Sequence, residues 1–237
     1  MNNNEMEHDL AKAFIDLSAI EKNVSGLKRI SKPSCLFMAV VKADGYGHGA
    51  VQIAQKSLNS GADWLGVARM EEAVPLRDAG ITSPILVFGY VDPSLAPLAL
   101  DLDLTLTVYN FEMAKALSEC VPDTKKRLRI HAKVDTGMGR VGMIIHKDLA
   151  SKEKRHAEIK EIEQIKRLPG LRLEGIYTHF AAADEKDPAY TKLQIDLFQS
   201  LIHDLEKNKI DIATCHAANS AGIIGFPEAH FDMVRAG

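Results

Sequence analysis

Cysteine is scarce in this 237-residue chain, and the three present, Cys35, Cys120 and Cys215, are far apart with no C-x-x-C spacing. That argues against a disulfide framework or a thiolate zinc site, so no metal is expected, and it suits a reducing compartment. Long apolar runs are missing too. Nothing approaches the roughly 18 apolar residues that a membrane-crossing helix needs, and the start, "MNNNEMEHDLAKAF", has neither the basic nor the apolar segment of a secretory signal. Basic excess is absent as well: 29 Lys and Arg face 32 Asp and Glu, for a net charge of -3, and the basic residues are dispersed. Nothing here suggests a nucleic-acid stripe or a polybasic membrane patch. The reading that remains is a soluble, cytoplasmic protein with a small-molecule partner.

What is present is an ordinary globular composition, 46% hydrophobic and 26% charged, on a chain long enough for one large domain. Short β-branched, apolar runs alternate with longer amphipathic stretches, the pattern of parallel βα units. Eight candidate strands fall at 35–41, 64–68, 84–89, 104–109, 127–134, 171–180, 212–217 and 231–234, with helices expected at 49–59, 70–79, 110–119, 153–167 and 188–207. Eight such units in a chain of this length fit an α/β fold of the (β/α)8, TIM-barrel type. An extra segment, "AFIDLSAIEKNVSGLKRIS", precedes them and reads as a short strand and a helix, with Ser18 and Glu21 at capping-box spacing and Leu17 placed to pack onto the first turn. In the charged stretch 151–167, Ile159, Ile162 and Ile165 follow one face, so a solvated helix is expected rather than a binding patch. No helix-forming residues follow "DMVRAG", and the expectation is a barrel without its final helix, cut rather than finished.

A barrel of this kind carries its chemistry at the carboxyl ends of the strands. Unusual polar residues gather there: Lys42 after the first strand, Lys133 at the fifth with Asp135 and Arg140 beyond it, and His179 at the end of the sixth. His216, Asn219 and Ser220 follow the seventh, and Arg235 the eighth. A strand-end lysine partly desolvated by "CLFMAVV" has its neutral amine favoured, as Schiff-base chemistry requires, although a snorkelling lysine would look the same. Gly137, Gly139 and Gly142 let the loop "KVDTGMGRVGM" fold tightly and aim Arg140 inward. Asn219 and Ser220 stand where a helix should begin, either as an anion site or as an ordinary cap. A rival reading takes Gly45, Gly47 and Ala50 as a dinucleotide fingerprint with Glu71 or Glu72 as the ribose acid. It is weakened by the three residues between strand and first glycine, and by Tyr46 and His48 crowding the loop.

With these stretches assembled, the chain resembles the alanine racemase family. "VVKADGYGHGA", "KVDTGMGRVGM", "YTHFAAAD", "HAANSAG" and "DMVRAG" occur in family order and spacing, and the likeness runs from "AFIDLSAI" to the end. The resemblance implies a barrel domain over 1–237 that binds pyridoxal 5'-phosphate, with the family's C-terminal β-domain lying outside this chain. It implies that Lys42 holds the cofactor covalently and serves as one of two bases at Cα, and that Tyr46, Ser220 and the backbone of Gly237 bind its phosphate. Arg140 is expected to face the phenolic oxygen, Lys133 to match a lysine often carbamylated in the family, His179 to lie against the ring and bond Arg235, and Asn219 to line the pocket. The second base in the family is a tyrosine of the partner subunit's C-terminal domain, and Tyr90, Tyr109, Tyr177 and Tyr190 match none of the family's tyrosine positions. The implied activity is interconversion of L- and D-alanine, supplying D-alanine for the cell wall, by a homodimer when intact and impaired in this chain alone. The alternative is a non-catalytic, single-domain barrel that carries the same cofactor.

Overall fold

A computed structural model describes residues 12–123, 125–145 and 152–237. The first eleven residues and Ser151, which the sequence reading included in its opening and charged stretches, lie outside these ranges. The strands are β1 (Leu36–Val40), β2 (Trp64–Val67), β3 (Ile85–Val87), β4 (Leu104–Val108), β5 (Leu128–Asp135), β6 (Leu171–Tyr177), β7 (Thr214–His216) and β8 (Met233–Ala236). Each pairs in parallel with its neighbours in sequence, and β1 pairs β8, so the sheet closes into an eight-stranded barrel. A two-residue strand, Met143–Ile144, adds to β5 outside the ring.

The helices are α1 (Leu17–Ile30), α2 (Ala50–Asn59), α3 (Met70–Asp78), α4 (Ala96–Asp101), α5 (Phe111–Cys120), α6 (Lys152–Lys166), α7 (Ala189–Lys207) and α8 (Ser220–Gly225). Both sheet faces are therefore covered, which is why the strands read as continuous apolar runs. Alternation along β5 sorts its side chains: Ile130, Ala132 and Val134 join the main apolar core, while His131 and Lys133 have the opposite parity. The barrel interior holds a smaller apolar cluster of Met38, Trp64, Leu86, Tyr177 and Met233. In α6, Ile159, Ile162 and Ile165 are buried, as the charge pattern predicts.

Three expectations need correction. No strand forms at Phe14 or Ile15; Phe14 is 91% exposed, and the segment lacks a sheet neighbour. The cap of α1 is Asp16 rather than Ser18: its carboxylate accepts from Ser18 N at 2.8 Å and Ala19 N at 3.3 Å. Finally, β8 begins at Met233 rather than Phe231, because Phe231 takes φ 43 and the Asp232 carboxylate accepts from Cys215 N at 2.8 Å, which makes a turn of what reads as strand.

Candidate active site

One cavity of about 680 Å3 opens at the carboxyl ends of the strands. Lys42, Tyr46, Lys133, Arg140 and His179 all line it, and so do Asn219, Ser220, Arg235 and Gly237. The sequence thus named residues from across the chain that the barrel brings to one place. His216 is the exception. It is fully buried at the end of β7, beneath the cavity rather than on its rim.

Lys42 follows β1 half-buried and opens a turn of left-handed helix. Ala43, Asp44, Gly45 and Tyr46 take φ values of 51, 53, 63 and 57. Gly45 adopts positive φ freely, yet Ala43, Asp44 and Tyr46 carry side chains, and each left-handed position costs roughly 1–2 kcal/mol outside glycine. Hydrogen bonds offset that cost. Gly45 N donates to Val41 O at 2.9 Å, and Ala50 N donates to Asp44 Oδ1 at 2.7 Å. Glu72, which the dinucleotide reading would give to a ribose, instead accepts from Ala43 N at 3.1 Å and Ala68 N at 2.7 Å. With a closed barrel and no bare glycine cradle, that rival reading is set aside.

The turn delivers Tyr46 to the end of β8. A Cβ on Gly237 would lie 2.6 Å from Tyr46 Oη and 2.8 Å from Val40 Cβ, so only glycine permits the approach. Gly237 N donates to Ser220 Oγ at 3.1 Å, so a phenol, a hydroxyl and a backbone N–H converge. Burial raises the Tyr46 phenol, which keeps it protonated and a donor near neutral pH. Asn219 is the ordinary cap of α8, accepting from Gly222 N at 2.9 Å, while also lining the cavity.

Arg235 anchors the opposite side and is buried. Its guanidinium donates to Thr178 O and Ala217 O at 2.8 Å, to His216 Nδ1 at 2.9 Å and to His179 Nδ1 at 3.3 Å. Burial pushes it down to about 10, so it stays charged at neutral pH. His179 is pushed down to about 3 by burial and by the nearby Arg235, and is neutral. Gln194 holds its backbone, donating to His179 O at 3.1 Å. Lys133 is pushed down to about 7, by burial first and Arg235 second, and its Nζ has no hydrogen-bond partner among the described residues. It lies 5.1 Å from the centre of the Tyr177 ring. Asp135 serves the loop rather than the cavity. Its carboxylate accepts from Gly137 N at 2.8 Å, Gly139 N at 3.1 Å and Arg140 N at 3.1 Å, and this brings Arg140 to the cavity wall. Gly142 is required there, since a Cβ would meet the carbonyl carbon of Val134 at 2.8 Å.

Sequence reasoning missed several contributors. Tyr177 stacks on His216 at 4.7 Å, and Phe88, Tyr90 and Tyr109 line the cavity. The signal was available: aromatic residues end "PILVFGY" and "LTLTVY", at the same rim. Charge is lopsided, with Lys42, Lys133, Arg140 and Arg235 on the walls against the single carboxylate of Asp184, which suits an anionic ligand.

Fold and site together define a parallel α/β barrel with one lysine-bearing, anion-seeking cavity at its carboxyl rim. Residues 15–237 match the family model for the alanine racemase N-terminal domain, and the chain belongs to that family. It is 48% identical over 225 residues to an alanine racemase of Methanococcus maripaludis, covering 95% of this chain and 58% of the relative. To one of Desulfosudis oleivorans it is 45% identical over 229 residues, covering 96% and 58%. Among solved structures, an alanine racemase of Clostridium difficile in complex with cycloserine superposes with a TM-score of 0.87 at 34% identity, covering 94% of this chain and 59% of that one. One from Bacillus anthracis with bound L-Ala-P gives 0.83 at 35%, covering 96% and 58%. This chain therefore spans less than two thirds of the length of these relatives.

Proposed function

We propose that the chain is the part of an alanine racemase that binds pyridoxal 5'-phosphate, and that the intact enzyme interconverts L- and D-alanine. The observation that carries this reading is the single cavity shared by Lys42, the Tyr46–Ser220–Gly237 cluster and the Arg235–His179 pair. These residues fit the cofactor. The cavity has several cations against one acid, a buried Lys133 amine without a partner, and a glycine cradle at Gly237 that a Cβ would fill.

When bound, the cofactor supplies an electron sink to the substrate's Cα. Lys42 is the amine suited to hold it and, once displaced by substrate, to take or return the Cα proton on one face. Tyr46 Oη, Ser220 Oγ and the Gly237 N–H would hold its phosphate group, the last two by exchanging the bonds they make to each other for bonds to the ligand. Arg235 offers only donors, so it can bond an unprotonated ring nitrogen but cannot stabilise a protonated one, which keeps the sink weak and favours return of the proton to the same carbon. His179, neutral and beside Arg235, would lie against the same ring, and Asn219 would complete that wall. Arg140, on the cavity wall, would face the phenolic oxygen. Lys133, with an amine pushed toward neutrality, is suited to carbamylation, and the resulting negative charge would hold Arg140.

The second base and much of the substrate pocket would come from a C-terminal β-domain, with a tyrosine of the partner subunit closing the other face of a homodimer. A cytoplasmic location is part of this proposal. Among the described residues no helix is long and apolar enough to cross a membrane. Adding pyridoxal 5'-phosphate should give a visible absorption band that borohydride fixes on Lys42. An adduct on another residue, or an unchanged band in Lys42→Ala, would overturn the assignment.

A further inference from the structure

We propose that Glu72 is a positioning residue for Lys42, an inference that rests on the reading of Lys42 as the cofactor-bearing amine. Glu72 is the third residue of α3, and part of what it does is local. Its Oε2 accepts from Ala68 N at 2.7 Å and Arg69 N at 3.4 Å, as a glutamate in that position of a helix start commonly does. Oε1 does something else. It reaches across to β1 and accepts from the N–H of Ala43 at 3.1 Å, the residue directly after Lys42. One carboxylate thus ties the end of β2 to the end of β1, next to the bond from Val41 N to Gly66 O at 2.8 Å.

Ala43 is the first residue of the left-handed turn and has no polar side chain to support its own conformation. Asp44, by contrast, bonds Ala50 N, and Gly45 is at no disadvantage with positive φ. The sign of φ at Ala43 decides where the chain goes after Lys42, and therefore whether Tyr46 Oη arrives at Gly237. An extended or right-handed Ala43 would leave the amine at the end of β1 and carry the phosphate-binding phenol elsewhere. Glu72 holds that sign by giving the Ala43 N–H its acceptor. Glutamine cannot replace it, because its amide offers one acceptor oxygen and turns a donor toward the second N–H.

The test compares Glu72→Gln and Glu72→Ala with the unmodified chain and with Arg155→Ala. Arg155 joins α6 to α7 through Asp204 at 3.1 Å, away from the cavity, and provides a loss of stability that should not touch the site. The readouts are amide hydrogen exchange at Ala43, the pyridoxal 5'-phosphate concentration that half-saturates borohydride fixation on Lys42, and the urea midpoint. In both Glu72 variants, exchange at Ala43 should quicken and the half-saturating concentration rise, each by about tenfold, the effect of one hydrogen bond to a charged group. Arg155→Ala should keep the unmodified affinity at a comparable urea midpoint. Unchanged affinity in both Glu72 variants, or an equal loss in Arg155→Ala, would overturn the inference while leaving Lys42 as the cofactor lysine. No adduct on Lys42 in the unmodified chain would overturn the parent reading and this one with it.

Discussion

Arg235 donates to Nδ1 of His216 at 2.9 Å, and because a guanidinium carries only donors, that bond fixes the tautomers of two buried rings. His216 must keep its proton on Nε2, which lies 2.9 Å from Nδ1 of His131, so His131 in turn is protonated at Nε2. Gly175 makes room for this pair: a Cβ there would sit 2.7 Å from the His131 ring. The floor of the cavity is thus a chain of donors running from Arg235 into the barrel, with neither ring available to accept a further proton cheaply.

Stability should fall as the pH drops below the ordinary histidine range. Burial, with help from Arg129 and Arg235, pushes His131 down to about 3, and burial holds His216 well below its usual value. In the unfolded chain both titrate near 6.5. Their contribution is complete above that pH and is lost as pH falls from it, because the unfolded state then binds protons the folded state refuses. Urea unfolding should show up to about 1.4 kcal/mol lost per pH unit for each ring between roughly pH 6 and 4. A flat profile there would contradict the buried, neutral pair.

Asp44→Ala should destabilise the protein by about 1–2 kcal/mol, since it removes the acceptor of Ala50 N from a left-handed position. Asp44→Asn should cost under about 0.5 kcal/mol, because asparagine keeps an acceptor oxygen and tolerates that conformation. Chemical unfolding of the two variants decides the point. Equal losses would show that the bond to Ala50 is not what supports the turn.

Lys133 should take up carbon dioxide. An amine pushed down to about 7, buried and without a partner, is an unusually nucleophilic lysine at neutral pH. In bicarbonate buffer, carbon-13 NMR with labelled bicarbonate should reveal one carbamate signal that disappears in Lys133→Met. The same substitution should raise stability by about 1–3 kcal/mol in carbonate-free buffer, by removing an unpaired buried amine. A signal that persists in Lys133→Met would place the modification elsewhere.

Loaded with pyridoxal 5'-phosphate and placed in heavy water, the chain by itself should exchange the Cα hydrogen of D-alanine faster than that of L-alanine. The resemblance to the racemase family implies that the lysine serves the D-alanine face, and Lys42 is the base proposed on this chain. Proton NMR follows both rates. Equal rates would show a second base among the tyrosines of the cavity, while no exchange of either enantiomer would favour the non-catalytic cofactor carrier.

The barrel and its rim were legible because parallel strands buried on both faces must be apolar throughout, so a polar residue after such a run marks a carboxyl end. That logic located Lys42, His179 and Arg235. It misplaced His216, because a strand of three residues is too short to display its parity. The left-handed turn was only partly readable. Glycines 45, 47 and 49 announce positive φ, but Ala43 and Tyr46 adopt it without any local sign. Their support comes partly from Glu72, and a contact spanning 29 residues leaves no spacing rule behind.

β7 and β8 share a single register pair, His216 with Met233. The ring is closed there by other means: Asp232 bonds Cys215 through both backbone and carboxylate, Arg235 N reaches Ala218 O, and the Arg235 side chain spans to His216, Ala217 and Thr178. The seam of the barrel and the floor of the cavity are therefore one set of bonds. A substitution at Arg235 alters the cavity and loosens the hoop in the same act, and a ligand seated on that floor acts as a clasp on the seam.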